Sequence, residues 1–256
     1  MKNYFDMTGR IAMVTGAGSG LGASFALALA EAGATLVLAA RRMDKLEQTR
    51  ASIESIGGIA HCVALDVTKK QSVDDCFHEL DEQGLKVDCL INNAGISRED
   101  FLGQMPEADW DDVFDTNIKG VFLVAQAVAS RMIMSESQGS VVNVASILGF
   151  RPSKTLGAYC AAKAAVVRLT ESQAFEWARY GIRVNTIAPG YFSTEINSGY
   201  LESPQAAKLL AAIPQHRIGE LEELNATMLL LASGAGSYMT GSSIVVDGGL
   251  LLGGLS

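Results

Sequence analysis

Short runs of β-branched and apolar residues alternate with longer amphipathic or alanine-rich runs, and this alternation constrains the fold more than any other feature. The predicted strands cover residues 11–15, 35–40, 60–65, 87–91, 140–145, 182–187 and 243–246. The predicted helices cover residues 20–32, 43–56, 70–83, 107–134, 158–179 and 220–233. Such an order is typical of repeated βαβ units around a parallel sheet. The sequence therefore predicts the α/β class, with a doubly wound, seven-stranded parallel sheet flanked by helices.

Length and composition favour one domain over residues 1–256. Of the 256 residues, 48% are apolar and 19% are charged, and no Pro/Ser-rich or charge-dense stretch resembles a linker. The longest stretch without clear periodicity, about 190–219, carries Gly190, Gly199, Pro204 and Pro214. We expect this stretch to form a flap of loop and short helix rather than a second domain.

The charge balance and the hydropathy exclude several classes of protein. A net charge of −8 argues against a nucleic-acid partner, because binding phosphates needs clustered Lys and Arg. The mean hydropathy of +0.21 indicates a large core, since no run approaches the roughly 20 apolar residues of a membrane-spanning helix. Residues 1–6 lack the apolar run of a signal peptide, so the expected location is the cytoplasm.

The cysteines and histidines do not suggest a metal site. The four cysteines are Cys62, Cys76, Cys89 and Cys160. They have no CxxC spacing, and Cys62 and Cys89 lie in predicted strands, so buried thiols are expected rather than disulfides or metal ligands. The three histidines are scattered, which leaves serine-hydrolase chemistry without a base.

A glycine-rich loop follows the first predicted strand directly. It reads Thr15-Gly16-Ala17-Gly18-Ser19-Gly20-Leu21-Gly22 and leads into an alanine-rich helix. Glycines in such a loop let backbone N–H groups approach a diphosphate at the N-terminus of the helix. The spacing is TGxxxGxG, because Leu21 interrupts the general GxGxxG pattern, and the lysine of a P-loop is missing. A glycine-rich turn without a ligand is the alternative interpretation.

Tyr159 and Lys163 are four residues apart in a predicted helix, so both side chains project from one helix face. Ser146 follows the predicted strand 140–145, at the carboxyl edge of the sheet where α/β proteins bind ligands. A tyrosine can donate a proton to an oxygen that gains negative charge, and a nearby ammonium lowers the pKa of its phenol. A Tyr-xxx-Lys pair alone is weak evidence, and its position beside Ser146 strengthens it.

In order and spacing, these motifs resemble the short-chain dehydrogenase/reductase family. The resemblance covers almost the whole chain and extends to Asn92-Asn93-Ala94-Gly95, Asn117, Pro189-Gly190 and Val246-Asp247-Gly248-Gly249, the last of these with a structural role. It implies a Rossmann-type fold and an oxidoreductase that moves a hydride between a nicotinamide cofactor and a small carbonyl or secondary alcohol. It also implies a homo-oligomer, usually a tetramer.

The resemblance implies a catalytic role for four residues: Asn117, Ser146, Tyr159 and Lys163. Tyr159 would be the general acid/base, and Lys163 would lower its pKa and bind the nicotinamide ribose. Ser146 would orient the substrate, and Asn117 would support a water-linked proton relay. A helix cap or a kink is the alternative role for Asn117.

The resemblance also implies the residues that surround the cofactor. Besides Tyr159 and Lys163 they are Gly16, Ser19, Gly20, Leu21 and Gly22 at the diphosphate, Asp66 and Val67 at the adenine, Asn93, Ala94 and Gly95 at the adenosine ribose, and Pro189, Gly190, Phe192 and Thr194 at the nicotinamide. A strand-ending turn is the alternative for residues 93–95, and a helix N-cap is the alternative for Asp66. Tyr191 is a candidate for the substrate pocket.

The end of the second predicted strand favours NADP over NAD. Sites selective for NAD place a carboxylate there, which binds the ribose 2′-hydroxyl and repels a 2′-phosphate. This chain has Ala40 at that place, and the guanidinium of the following Arg41 can bind a 2′-phosphate with two charge-assisted hydrogen bonds. Ser19 could add a hydroxyl contact. The alternative is that Arg41 and Arg42 are solvated residues at the start of a helix.

Two other functions are compatible with the fold. An epimerase or dehydratase of the longer relatives would need an extra substrate domain, for which 256 residues leave no room. A catalytically weak NADP(H)-binding regulator is disfavoured by the intact Ser146, Tyr159 and Lys163. The expected pocket residues are mostly apolar and permissive, so a 3-oxoacyl thioester and sugar-derived, steroid-like or aryl ketones are all candidate substrates. These pocket residues are Ile96, Ile147, Leu148, Leu156, Tyr191 and the flap 193–216.

The leucine-rich end of the chain favours self-association. Residues 250–255 contain four leucines, and large exposed apolar patches are uncommon on monomers. We therefore expect the homo-oligomer to form partly through the last strand and this tail. A frayed tail is the alternative.

Overall fold

The computed structural model describes residues 3–193 and 204–253. Its strands are β1 (Ile11–Thr15), β2 (Thr35–Ala40), β3 (Ile59–Ala64), β4 (Cys89–Asn92), β5 (Gly139–Val144), β6 (Ile182–Pro189) and β7 (Ser243–Val246). They form one seven-stranded sheet in the order β3-β2-β1-β4-β5-β6-β7, and every neighbouring pair is parallel. The predicted doubly wound sheet is confirmed. Successive crossovers diverge between β1 and β4, where such folds bind ligands beyond the carboxyl ends of the strands.

The helices that cover the sheet are α1 (Gly20–Glu31), α2 (Met43–Ser55), α3 (Lys70–Glu82), α4 (Glu107–Phe114), α5 (Gly120–Met134), α6 (Gly157–Trp177), α7 (Pro204–Ala212) and α8 (Asn225–Ala232). Within the described ranges, no helix is both long enough and apolar enough to cross a lipid bilayer.

The core lies in two layers, one on each face of the sheet. Side chains alternate along each strand, so Val14 of β1 joins the layer under α1, α2 and α8, whereas its neighbour Met13 joins the layer under α3 and α5. Both side chains are fully buried, as are most residues of the central strands. Near-continuous apolar runs suit strands that are covered on both faces. The prediction of a buried thiol is correct for Cys89 of β4 but wrong for Cys62, which is partly exposed because β3 is an edge strand.

The predicted helix 107–134 is interrupted by a π-helical turn over Asp115–Lys119. The physical reason lies in Asn117, whose Nδ2 donates to the Val113 carbonyl at 2.9 Å. In an α-helix that carbonyl would accept from the Asn117 N–H, so side chain and backbone compete for one acceptor. Turns of this type often occur at functional sites.

The predicted helix 220–233 also differs in detail. It begins as a 3-10 turn over Leu221–Leu224, with a capping box between Glu220 and Glu223, and continues as α8. The flap prediction over 190–219 included a short helix, and α7 provides one. Residues 194–203 of the flap lie outside the described residues, and Thr194 is one of them.

Candidate active site

The glycine-rich loop packs so tightly that side chains have no room at two positions. Gly16 has a φ of +68°, and a Cβ atom there would lie 3.1 Å from the Ala94 Cα. A Cβ atom on Gly22 would lie 2.2 Å from the Gly16 carbonyl oxygen. These contacts require glycine at both positions. The loop therefore brings its backbone against the start of α1, as an anion cradle needs.

The N-terminus of α1 is open to an anion. Ser19 is the N-cap residue, and within the described part of the chain its side chain makes no capping bond to the helix. The first turn of α1, which is fully described, carries no acidic residue. Since a helix N-terminus attracts negative charge, the predicted residues Ser19, Gly20 and Leu21 lie where a diphosphate would bind.

Thr15 and Asn93 lock the glycine-rich loop to the segment that follows β4. The Thr15 Oγ1 accepts from the N–H groups of Asn93 and Ala94, both at 3.0 Å. The Asn93 Nδ2 donates to the Thr15 carbonyl at 3.0 Å. Sequence reasoning gave Thr15 no role, although a threonine at the end of a buried strand was a usable signal. The predicted contact of residues 93–95 with the ribose stays a prediction, because Asn93 uses its amide to hold the loop.

Gly95, Asn117 and Lys163 meet where the β4 loop, the π-helical turn and α6 come together. A Cβ atom on Gly95 would lie 2.7 Å from the Asn117 Oδ1 and 3.5 Å from the Lys163 Nζ. Asn117 holds this loop through Ile96, whose N–H donates to Oδ1 at 3.2 Å and whose carbonyl accepts from Nδ2 at 2.7 Å. The kink that was the alternative role of Asn117 is therefore present.

Ser146, Tyr159 and Lys163 gather at the carboxyl end of β5. Ser146 is buried and caps a 3-10 turn over Ile147–Gly149, with its Oγ accepting from the Leu148 N–H at 3.1 Å. The Tyr159 hydroxyl lies close enough to Ser146 for this serine to lower the pKa of its phenol. The Lys163 Nζ donates to the Val144 carbonyl at 2.8 Å and lies 5.6 Å from the centre of the Tyr159 ring. The structure thus brings all four predicted catalytic residues into one site.

Burial decides the ionisation of this pair. Although part of the Tyr159 side chain is exposed, burial raises the pKa of its phenol to about 12, partly opposed by the nearby Ser146. Burial also lowers the pKa of Lys163 to about 8. Lys163 was expected to lower the pKa of Tyr159, but its ammonium is directed at the Val144 carbonyl. At neutral pH the Tyr159 hydroxyl is therefore protonated and able to donate.

The far end of the cleft lies beyond β2 and β3. Burial opposes the ionisation of Asp66, but hydrogen bonds from Thr68 and the charges of Lys69 and Arg41 hold the pKa of its carboxyl below its usual range. The Asp66 Oδ1 accepts from the Thr68 N–H at 3.1 Å and from the Thr68 Oγ1 at 2.7 Å. Arg41 is exposed and acts electrostatically on Asp66, so the two predicted cofactor residues share one rim of the cleft.

Val67 packs beneath the site. A Cβ atom on Gly120, at the start of α5, would lie 2.7 Å from the Val67 Cγ2. The side chain of Val67 is buried, so its predicted contact with the adenine would use the backbone.

The nicotinamide end of the predicted site lies beyond β6. Pro189 ends that strand, and the Gly190 N–H donates to the Val246 carbonyl at 2.8 Å. A Cβ atom on Gly190 would lie 2.7 Å from the Asp247 Cα, so the loop must start with glycine. Phe192 is buried and pairs with Gly219 across the flap, and its predicted backbone contact with the nicotinamide stays a prediction. Thr194 lies outside the described residues.

A cavity of about 770 Å³ opens at the opposite edge of the sheet, where the strands begin. None of the predicted site residues is among the described residues that line it. Its arginines already have partners, since Arg183 donates to two carbonyls at 2.9 Å and Arg10 pairs with Asp88 at 3.1 Å. The predicted site residues therefore lie at the carboxyl edge, away from this cavity.

Comparison with known proteins identifies the family. The model of the short chain dehydrogenase family matches residues 10–205. The gluconate 5-dehydrogenase of Gluconobacter oxydans (strain 621H) is 36% identical over 249 residues, which cover 97% of each chain. The 3-oxoacyl-(acyl-carrier-protein) reductase of Thermotoga maritima is 36% identical over 246 residues, covering 96% of this chain and 99% of that protein.

Solved structures agree over nearly the whole chain. A gluconate 5-dehydrogenase from Burkholderia cenocepacia J2315, in complex with NADP and tartrate, superposes with a TM-score of 0.92 at 36% identity and covers 96% of this chain and 97% of that one. A 3-oxoacyl (acyl-carrier-protein) reductase from Agrobacterium tumefaciens C58 with NADP bound gives a TM-score of 0.89 at 31% identity, covering 96% and 95%. The predicted family and its class, an oxidoreductase of the dehydrogenase/reductase type, are confirmed: the chain belongs to the short-chain dehydrogenase family.

Proposed function

We propose that this protein transfers a hydride between NADP(H) and a ketone or secondary alcohol, with Tyr159 as the general acid/base. The observation that carries the proposal is the meeting of Ser146, Tyr159, Lys163 and Asn117 beyond β5, at one end of a cleft that starts at the glycine-rich loop. Carbonyl reduction needs a hydride donor and a proton donor next to the substrate carbonyl.

The residues present fit a dinucleotide. The close contacts of Gly16 and Gly22 leave a backbone cradle at the start of α1, where Ser19 and Gly20 would hold the diphosphate. NADP(H), when bound, supplies or accepts the hydride. Arg41 would hold the 2′-phosphate, and the related structures that carry NADP support this choice over NAD.

In the reductive direction, Ser146 would orient the substrate oxygen and Tyr159 would protonate it. The raised pKa of Tyr159, about 12, keeps the proton on its hydroxyl at neutral pH until an oxygen with developing negative charge draws it away. The buried Lys163 would stabilise the phenolate that remains, because its ammonium lies near the ring in a medium where charges interact strongly. In the oxidative direction the same tyrosine would accept the proton of the alcohol.

Asn117 would act beside this pair as a link in a water-mediated proton relay. Its side chain already holds Ile96, so the group offered to water would belong to its backbone. The kink at Asn117 is compatible with this role and with a purely structural one, so the kink does not distinguish them.

The experiment mixes the purified protein with NADPH, or with NADH, and a panel of ketones, and follows the absorbance of the reduced nicotinamide. We expect oxidation of NADPH with at least one ketone, and a lower kcat/KM with NADH. If the protein bound NADPH but turned over none of the panel, the alternative of a catalytically weak NADP(H)-binding regulator would replace this proposal.

We also propose that the protein is a homo-oligomer, most simply a tetramer. Phe122 of α5 and Phe175 of α6 are 41% and 90% exposed, and all four residues of the edge strand β7 are only half-buried. Covering these apolar surfaces would stabilise self-association. The expected contribution of the leucine-rich tail is smaller than the sequence implied, because Leu250 is buried within its own chain.

A further inference from the structure

An apolar cluster lies against the catalytic tyrosine. Its buried members are Ile147 and Leu148, which directly follow Ser146, together with Ile213 after α7 and Leu250 of the C-terminal tail. Tyr159 and Tyr191 pack against these four residues. The four buried members and the described side chains packed on them carry no charge. We call this set the substrate-side wall.

One side-chain hydrogen bond links the tail to this wall, and two more hold the turn of the tail itself. The Arg151 Nη1 donates to the Leu250 carbonyl at 3.1 Å and so links the β5–α6 loop to the tail. The two oxygens of Asp247 accept from the N–H groups of Gly249 at 2.8 Å and Leu251 at 2.6 Å. As a result Leu250 is only 5% exposed, whereas Leu252, two residues on, is 83% exposed. The buried Leu250 side chain therefore docks the tail, together with the Gly248 carbonyl, which accepts from the Gln215 N–H at 3.2 Å.

The wall is connected to the catalytic serine. The Leu148 N–H donates to the Ser146 Oγ at 3.1 Å, so the turn that carries the wall also orients the serine hydroxyl. Leu250 packs in the same cluster as Ile147 and Leu148 of this turn. A substrate whose oxygen lies between Ser146 and Tyr159 would extend one of its substituents along the wall.

Resting on the proposed function, we propose that Arg151 and Leu250 determine substrate specificity. Arg151 is a positioning residue: it latches the tail so that Leu250 completes the wall beside Tyr159. An apolar wall stabilises an alkyl substituent by removing it from water, whereas the hydroxyl groups of a sugar acid would lose hydrogen bonds to water there. The wall thus favours ketones with an alkyl chain over polyhydroxylated keto acids.

The kinetic test measures kcat/KM with NADPH for 2-alkanones of increasing length and for 5-ketogluconate. In the unmodified enzyme we expect kcat/KM to rise roughly fourfold for each methylene that reaches the wall, mostly through KM. Leu250→Ala and Arg151→Leu reduce this increase to less than about twofold, through a higher KM for the longer ketones. Arg151→Lys, which keeps a donor, restores part of the increase.

Matched controls come from the same tail and from α2. Leu252→Ala removes an equal side chain that is exposed, and Arg50→Leu removes an arginine remote from the wall. Both keep the chain-length dependence. If 5-ketogluconate had a higher kcat/KM than every alkanone, the apolar preference would be wrong. If kcat/KM of Arg151→Leu kept the full dependence on ketone length, the proposed role of Arg151 would be wrong.

A second measurement tests, without turnover, whether Arg151 holds the tail in place. Amide hydrogen exchange of Gly249 and Leu251 should be at least about tenfold faster in Arg151→Leu than in the unmodified protein, and unchanged in Arg50→Leu. Equal exchange rates in all three proteins would overturn the latch. A protein that shows this difference and binds NADPH, but reduces no ketone, would instead contradict the proposed function.

Discussion

At the scale of single residues, burial dominates the pKa shifts of Tyr159 and Lys163. Lys163 is 3% exposed, and burial lowers its pKa from 10.5 to about 8. The folded protein therefore disfavours the charged form that the proposed chemistry uses. Its bond to the Val144 carbonyl keeps the ammonium in place at neutral pH.

The first prediction concerns the pH dependence of stability. Between pH 8 and 10.5 the unfolded chain keeps a proton on Lys163 that the folded protein has released, so stability rises with pH in this window. Between pH 7 and pH 10 we expect the free energy of unfolding to rise by about 2–3 kcal/mol relative to Lys163→Met. Urea denaturation of both proteins at pH 7 and pH 10 measures it, with Lys86→Met as the control for losing an exposed charge. If the difference in the free energy of unfolding between the unmodified protein and Lys163→Met did not change with pH, the lowered pKa of Lys163 would be wrong.

The second prediction concerns cofactor choice. Arg41 is exposed beyond β2, and Ala40 stands where NAD-selective sites carry an acid. Ala40→Asp combined with Arg41→Ala should narrow or invert the kcat/KM preference for NADPH over NADH, because the carboxylate repels the 2′-phosphate that the guanidinium had bound. Arg50→Ala, on the following helix, serves as the control. An unmodified enzyme with a higher kcat/KM for NADH than for NADPH would show that Arg41 does not bind the 2′-phosphate.

Single residues also show what a sequence can and cannot predict. The positions of Ser146, Tyr159 and Lys163 followed from spacing and from the strand before them. The partner of Lys163 did not, because the Val144 carbonyl is reached only once β5 and α6 pack. The role of Thr15 likewise depends on β1 and β4 lying side by side.

At the scale of elements, buried amides join four of them around the site. The Asn92 Nδ2 of β4 donates to the Val121 carbonyl of α5 and to the Asn143 Oδ1 of β5, both at 3.1 Å. The Asn143 Nδ2 in turn donates to the Thr170 Oγ1 at 2.9 Å and the Gln173 Oε1 at 3.1 Å, both on α6. These bonds fix the distance between the strand that ends at Ser146 and the helix that carries Tyr159.

The third prediction tests this network. Asn143→Ala removes three hydrogen bonds from buried polar atoms of Asn92, Thr170 and Gln173, so we expect a loss of about 2–4 kcal/mol in the free energy of unfolding. Asn225→Ala, which removes one partly buried bond with Ser24, should cost less than about 1 kcal/mol. Urea denaturation compares the two variants. Equal losses of unfolding free energy in the two variants would mean that the network stabilises the protein no more than a single hydrogen bond does.

The elements also differ in how far the sequence predicted them. Strand and helix periodicity placed β1–β7 to within about two residues. The π-helical turn was not predicted, because one extra residue in a single helical turn hardly changes the apolar pattern of residues 107–134. Asn143 within an apolar strand was a signal that went unused, since a polar residue there needs partners.

At the scale of the whole molecule, the fold places the glycine-rich loop and the catalytic residues at one edge of the sheet. Alternating strands and helices predicted parallel strands, but only the structure gives their order and register. The carboxyl ends of β1, β4 and β5 are adjacent in that order, so the cleft runs across all three.

The fourth prediction concerns self-association. Sedimentation velocity at micromolar concentration should give a multiple of the 27.0 kDa chain, most simply four. Phe175→Glu should shift the protein to smaller species, because it places a charge on an apolar surface. Phe5→Glu, a similar change at an exposed aromatic residue near the start of the chain, is the control. A monomer under these conditions would contradict the proposal.

The central claim is that Tyr159 is the proton donor in an NADP(H)-dependent reduction. The measurement is the kcat of Tyr159→Phe with NADPH and the best ketone, together with NADPH binding followed by fluorescence, with Tyr180→Phe as the matched control. We predict that Tyr159→Phe lowers kcat by at least about two to three orders of magnitude while NADPH still binds. We predict no comparable loss for Tyr180→Phe. Near-normal turnover by Tyr159→Phe would contradict the claim.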